Sequence, residues 1–253
     1  MNVRVGSRRN ACRLGQLPRG GRRVLILGIA VACTLFYFKW RSEQKRRALL
    51  LQWAAANNWN FAASDDTWCE RWNGDPFGSG DHRRARNVLT GQWQGRQFAS
   101  FDYSYQTHSS NGKGGQTTET HYFAVSSISL PTFLPRLQVT PENILSRLGN
   151  AIGLTDIELE SEDFNRAFRV HSDDAKFASD VLTPRTMQML LTRPRFSWRI
   201  EGTDIVCWAE GEQHPGEVTA RVATVIDVVK GIPSFVWHDN GYDAGSTAVG
   251  GTS

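Results

Sequence analysis

Six histidines, at 82, 108, 121, 171, 214 and 238, are the first residues of this chain with chemistry to offer. None forms His-x-x-x-His or sits beside a Cys pair, so the local spacing of a zinc site is absent and no metal ligand is assigned. Asp102 with His108 or His121 is the one pairing that a folded-back strand would turn into an acid–base dyad. Surface polar positions explain the same residues more simply. The acidic run Glu158 to Asp163 has the charge to hold a cation, and a solvated strand and turn account for it equally well. Cys12 lies in the N-terminal tail and Cys33 in an apolar run, so only Cys69 and Cys207 could bridge within the main domain. Buried free thiols suit their lack of paired spacing better. No Gly-x-Ser-x-Gly elbow, phosphate loop, dinucleotide fingerprint or kinase set appears. No catalytic or cofactor-binding residue is therefore assigned, and no cofactor is expected.

The element that places this chain is Val24 to Trp40, VLILGIAVACTLFYFKW. Its one charge, Lys39, sits next to its end, and Val24, Leu27, Val31, Leu35, Tyr37 and Trp40 are read as the anchor residues. A helix needs about 20 apolar residues to cross the hydrocarbon core, with roughly 17 as the lower limit. The run suffices if Lys39 and Arg41 reach outward to the headgroups. A buried core helix and a cleaved signal peptide are the alternatives. Basic residues bracket the run, which disfavours the first; no small-x-small cleavage site follows it, which disfavours the second.

Residues 1–23 form a basic tail with seven Arg and no acid, and residues 41–47 form a basic juxtamembrane segment. There Arg41, Lys45, Arg46 and Arg47 can meet anionic lipid headgroups. Taken alone, the tail favours an inside N-terminus. Translation starting nearer Val24 would leave residues 39–47 to decide, placing the large domain in the cytoplasm; that orientation is adopted here. The whole chain carries a formal charge of +4, yet residues 48–253 hold 17 Lys and Arg against 24 Asp and Glu, a net of −7. An acidic domain lacks the basic face that nucleic acid requires. Its partner is expected to be an unidentified protein or small ligand.

Residues 48–237 read as an α+β domain, an antiparallel sheet built of hairpins with helices packed on one face. A helix over 48–61 stops near Asn57-Asn58, and a polar loop over 62–86 carries Trp68, Trp72 and Phe77 as plugs. NVLTGQW and RQFASFDYSYQ flank a turn at Gln94-Gly95. Residues 107–120 read as a flexible loop, HYFAVSSISL as a strand ending at Pro131, and RLQV as a separate short strand. Thr140-Pro141-Glu142 starts a helix; DIELE and AFRVHS follow as strands; a helix is broken and restarted at Thr183-Pro184. FSWRIEGTDIVCWAEG reads as a hairpin turning at Gly202-Thr203. Val218, Val222, Val225 and Val229 line a last helix opened by Pro215, and residues 238–253 form a disordered tail.

The densest polar constellation is ESEDFNRAFRVHS, 160–172, where Asp163, Asn165, Arg166 and Arg169 suit a structural or ligand-binding turn. Together with VLTGQWQGRQFASFDYSY, LTPRTM and IPSFVW, the ESEDFNRAFRV segment resembles a family of uncharacterised single-pass actinobacterial membrane proteins carrying a domain of unknown function. The resemblance implies one membrane helix, a basic flank and this domain. It brings no activity or ligand, and the long Arg-rich segment 1–23 departs from it. The function expected is a membrane-anchored, non-enzymatic binding module. An extracytoplasmic domain bridged through Cys69–Cys207 and a hydrolase-like enzyme using Asp102 stay open as alternatives.

Overall fold

The computed structural model of this chain describes residues 19–110, 115–142 and 155–243. Two units divide it, Met1–Arg46 and Arg47–Ser253. Helix α1, Arg19–Ala56, runs unbroken from the first into the second. Its end is capped locally: Asn58 takes a left-handed φ of 55°, and the Trp59 N–H returns to the Ala54 carbonyl at 2.9 Å.

Among the described residues, no helix is long and apolar enough to cross a membrane. The span expected over Val24–Trp40 lacks that support, for a physical reason. The uncharged run Val24–Phe38 is fifteen residues long. At about 1.5 Å per residue it covers ~22 Å of a core about 30 Å thick.

Among the described residues, the second unit is built on an antiparallel sheet of seven strands. β1 (Asn60–Ser64), β2 (Asp81–Trp93), β3 (Arg96–Ser110) and β4 (Gln116–Pro141) follow as neighbours. At the β2–β3 turn Gln94 and Gly95 both have positive φ, 51° and 77°, the geometry a two-residue hairpin needs. β4 is the spine. Its first half pairs with β3, its second half with β6 (Phe168–Ser172), and β7 (Ser197–Glu210) lies along its other edge. The short β5 (Thr155–Asp156) flanks β6.

Helices cover one face, as the α+β reading requires. They are α2 (Glu162–Ala167), α3 (Ala175–Val181), α4 (Pro184–Thr192), α5 (Pro215–Gly231) and α6 (Ser234–Asp239). Phe177, Leu190, Val218, Val222, Val225 and Val229 pack there against Phe98, Ile128, Leu137 and Val139. The other face carries a second core under the stretch 65–80, where Trp72 and Phe77 meet Phe101, Tyr103, Val125 and Trp208. That stretch has one short 3-10 turn, Asp66–Glu70, so side chains must hold it down. Each large aromatic buries roughly 150–250 Å², about 4–6 kcal/mol of gross transfer free energy. Arg71 adds a two-pronged bond to Asp204, Nε at 2.8 Å and Nη2 at 3.2 Å.

Several expectations need correction. The stretch 197–210 is one strand, not a hairpin: Gly202, φ 65°, sits in a bulge opposite Leu134. There β4 spends Ser129 to Leu134 while β7 spends only Asp204 to Gly202. This irregular zone also admits Pro131 and Pro135, whose missing N–H groups interrupt no regular pairing. β4 therefore continues through RLQV to Pro141 instead of ending at Pro131. Residues 107–110 and 116–120 are paired strand, not loop; β-branched Thr107, Thr117, Thr118 and Thr120 favour that state. Residues 111–114 lie outside the described residues. Pro141 closes β4, and the helix expected after it falls on 143–154, likewise outside them. So does 244–253, most of the expected tail. Of DIELE, residues 156–160, only Asp156 is strand, paired there together with Thr155, and the helix after β6 is capped by Asp174.

Candidate functional site

In the first unit, Leu27, Val31, Leu35, Tyr37 and Trp40 are exposed, as are Ile29, Phe36 and Phe38. A water-soluble helix hides such residues along one stripe. Here they stand out all round it. Val24 precedes the residues whose side chains are described. Of the four expected headgroup residues, Arg41, Lys45 and Arg47 are exposed. Arg46 is only 7% exposed and bonds Glu43 at 2.9 Å, which removes it from that set.

The residues at 160–172 serve the fold. Ser161 caps α2, and Asn165 staples the backbone of Leu159 through its N–H at 3.2 Å and its carbonyl at 2.7 Å. Arg166 pairs with Glu162 at 2.9 Å and stands 3.8 Å from Asp163; Arg169 pairs with Glu142 at 3.0 Å. All four expected residues thus have partners close by.

The Asp102 dyad does not assemble. Asp102 accepts from the Gln213 N–H at 2.7 Å and from Asn87 Nδ2 at 2.8 Å, fastening the entry to α5 onto the sheet. His108 lies six residues along β3, about 20 Å away at ~3.4 Å per residue. His121 pairs across from Tyr105, on the opposite face from Asp102. Its Nε2 meets the Thr107 hydroxyl at 2.9 Å. Cys69 and Cys207 are free and buried, so the bridge considered for an extracytoplasmic domain is not made. Burial pushes their thiols up, to about 11 and about 12 respectively.

Two arrangements were invisible in the residue order. The first is a cleft of about 610 Å³ where β7 ends, lined by Tyr105, Glu119, His121, Phe123, Glu210 and Gly211. Tyr105 stacks on His121 at 4.8 Å and on Phe123 at 5.9 Å, giving the cleft an aromatic floor. Burial also raises the Tyr105 hydroxyl above its usual value, so it stays a neutral donor. Glu119 and Glu210 make the rim acidic. The second lies near the same end of the sheet: Asp81, His82 and His108 bring one donor atom each to within 4.8 Å of one another. Only the β2–β3 register unites His108 with the other two, so no local motif announces them.

Comparison with known proteins bears on the fold. Residues 132–200, from the second half of β4 into β7, match a family described as "Protein of unknown function (DUF3137)". A solved structure is also similar, the crystal structure of the mycobacterial trehalose monomycolate transport factor A, TtfA. Its TM-score is 0.56 at 12% sequence identity, covering 74% of this chain and 96% of that chain. The chain therefore shares a fold with a mycobacterial protein, and its residues 132–200 are similar to a family of unknown function. No curated protein matches it.

Proposed function

We propose that this protein is a membrane-attached, non-enzymatic binding module, held by Val24–Trp40 and presenting its acidic domain to a protein or small ligand on the cytoplasmic side. The observation that carries the reading is α1, where eight large apolar side chains between Leu27 and Trp40 are exposed, at 49–73%. A patch of that size is a cost in water and an asset against lipid. Val24–Trp40 has seventeen residues. These make about 25 Å of helix, roughly one turn short of the hydrocarbon core, a gap that snorkelling of Lys39 and Arg41 closes. Arg41, Lys45 and Arg47 add attraction to anionic headgroups, each of order 1 kcal/mol and sensitive to salt. The match to a transport factor's fold suits a module that binds and hands on instead of one that reacts. The cleft beside Tyr105, with its acidic rim, is the surface we assign to the ligand.

The test is Gly28→Arg with Val31→Arg. Nothing lies within 4 Å of a Cβ built at Gly28, and Val31 is 58% exposed, so the helix accepts both changes. Two charges in mid-span cost about 5–7 kcal/mol on insertion scales. The variant is expected in the soluble fraction with its domain folded. Its retention on carbonate-washed membranes would show that another part of the chain holds the protein there.

A further inference from the structure

We propose that Asp81, His82 and His108 form a binding site for a first-row divalent cation of the zinc class, at the root of the β3–β4 ribbon. Successive side chains of a regular strand point to opposite faces. Asp81 and His82 escape that rule because His82 has a φ of 49° and the β2–β3 register shifts between Asp81 and Arg84. A left-handed residue without glycine's freedom is uncommon in a strand, and a bulge is the usual device for re-aiming a side chain. Here the two consecutive side chains converge on one residue of the next strand. His82 Nδ1 lies 3.1 Å from Asp81 Oδ1, and His108 Nε2 lies 3.2 Å from Asp81 Oδ2.

Those separations suit a metal. With bonds of about 2.1 Å to nitrogen and oxygen, two corners of a tetrahedron stand about 3.4 Å apart. Each imidazole nitrogen already lies 3.1–3.2 Å from an Asp81 oxygen and the three donor atoms lie within 4.8 Å of one another, so side-chain rotations suffice to receive an ion between them. His108 also has the outer support that metal-binding imidazoles usually have. Its Nδ1 is 2.9 Å from the Thr118 hydroxyl on β4, which can accept that proton and leave Nε2 unprotonated towards the site. Two imidazoles and a carboxylate favour zinc, nickel or copper over calcium or magnesium, which prefer all-oxygen sets. The three side chains are exposed, so a fourth ligand can come from water or from a partner docked on the ribbon. The site shares no residue with the membrane attachment or with the cleft, and its test does not depend on either.

The experiment titrates tag-free, full-length protein in detergent with zinc chloride by calorimetry, and with cobalt(II) by visible absorption. One ion per chain is expected, with cobalt giving the intense bands of a tetrahedral complex. His82→Ala and His108→Ala should each weaken binding by about 100-fold or abolish it, and Thr118→Val by about 10- to 100-fold. His214→Ala, at the start of α5, should leave it unchanged. Circular dichroism confirms that each variant is folded. Wild-type protein that takes up no zinc, or His82→Ala protein that binds it as tightly as wild type, overturns the proposal.

Discussion

Arg199 offers the sharpest test of how the two faces of the sheet are held. Its side chain is fully buried, with the guanidinium 5.5 Å from the rings of both Phe77 and Trp208. Nη1 donates to Gln138 Oε1 at 3.1 Å and to the Asp75 carbonyl at 3.3 Å, and Nε lies 2.9 Å from Glu201 Oε2. That last contact is close but poorly aligned for a hydrogen bond. Burial draws the guanidinium's pKa down to about 10, against the pull of Glu201. Arg199→Met keeps most of the apolar volume but leaves Glu201, 19% exposed, short of its nearest cation. Arg136 remains only as a longer ion-pair partner, 4.0 Å from the same oxygen. Breaking a buried pair on one side typically costs about 3–5 kcal/mol. For a domain of this size that lowers Tm by about 6–20 °C. Adding Glu201→Gln should restore about 1–3 kcal/mol, because the stranded charge is gone while an acceptor remains for the Asn73 N–H. Urea and thermal unfolding of the full chain read both values. If the single and double variants are equally unstable, Glu201 is not stranded, and the cost lies in lost stacking against Phe77 and Trp208.

Three further outcomes follow from the packing. Gly91→Ala drives a Cβ into the Trp59 indole, which stacks on Trp93 at 5.4 Å; a loss of about 1–3 kcal/mol and a red-shifted tryptophan emission are expected, and unchanged emission refutes the contact. Cys69 and Cys207 should resist alkylation in the folded protein at neutral pH and react fully in denaturant without reductant. A disulfide-linked peptide in non-reducing mass spectrometry would contradict this. Burial works against the charge of Asp66, but the Ala85 N–H and Arg84 outweigh it and hold the carboxyl below its usual 3.8. Folding thus favours the ionised form. Relative to Asp66→Asn, the extra stability of wild type should be complete above pH 3.8 and fade as pH falls below it; a difference that grows in acid would reverse the assignment.

What the sequence disclosed was what neighbours in the chain decide. Gln94-Gly95 turns because both positions accept positive φ. α5 shows itself because Val218, Val222, Val225 and Val229 recur at helical spacing and all are buried. The misreadings share one cause, which is that the deciding partner lies far away in the chain. Gly202-Thr203 reads as a hairpin turn until β4 supplies a bulge to absorb it. Ser197, Arg199 and Glu201 alternate as a solvent face would, yet Ser197 and Arg199 are buried because the stretch 65–80 folds over them. The plugs Trp68, Trp72 and Phe77 were recognisable by size, but nothing local says which face they close. The cleft and the Asp81, His82 and His108 group depend on register alone.

That register also explains why both lie at one end of the sheet. β2 starts pairing with β3 at Asp81 opposite Gln106, and β7 stops pairing with β4 at Glu210 opposite Phe123. Beyond these points β3 and β4 continue as a two-stranded ribbon, from Thr107 opposite Glu119 to Ser110 opposite Gln116. An isolated pair of strands is marginally stable, so this ribbon depends on its root. Its composition is Thr, Ser, His, Gln and Glu, which leaves no apolar edge to recruit other chains. One face of the root carries Tyr105 and His121, and the other carries His108 and Thr118. A ligand bound on either face would therefore fasten the two-stranded ribbon to the part of the sheet where β2 and β7 pair with it.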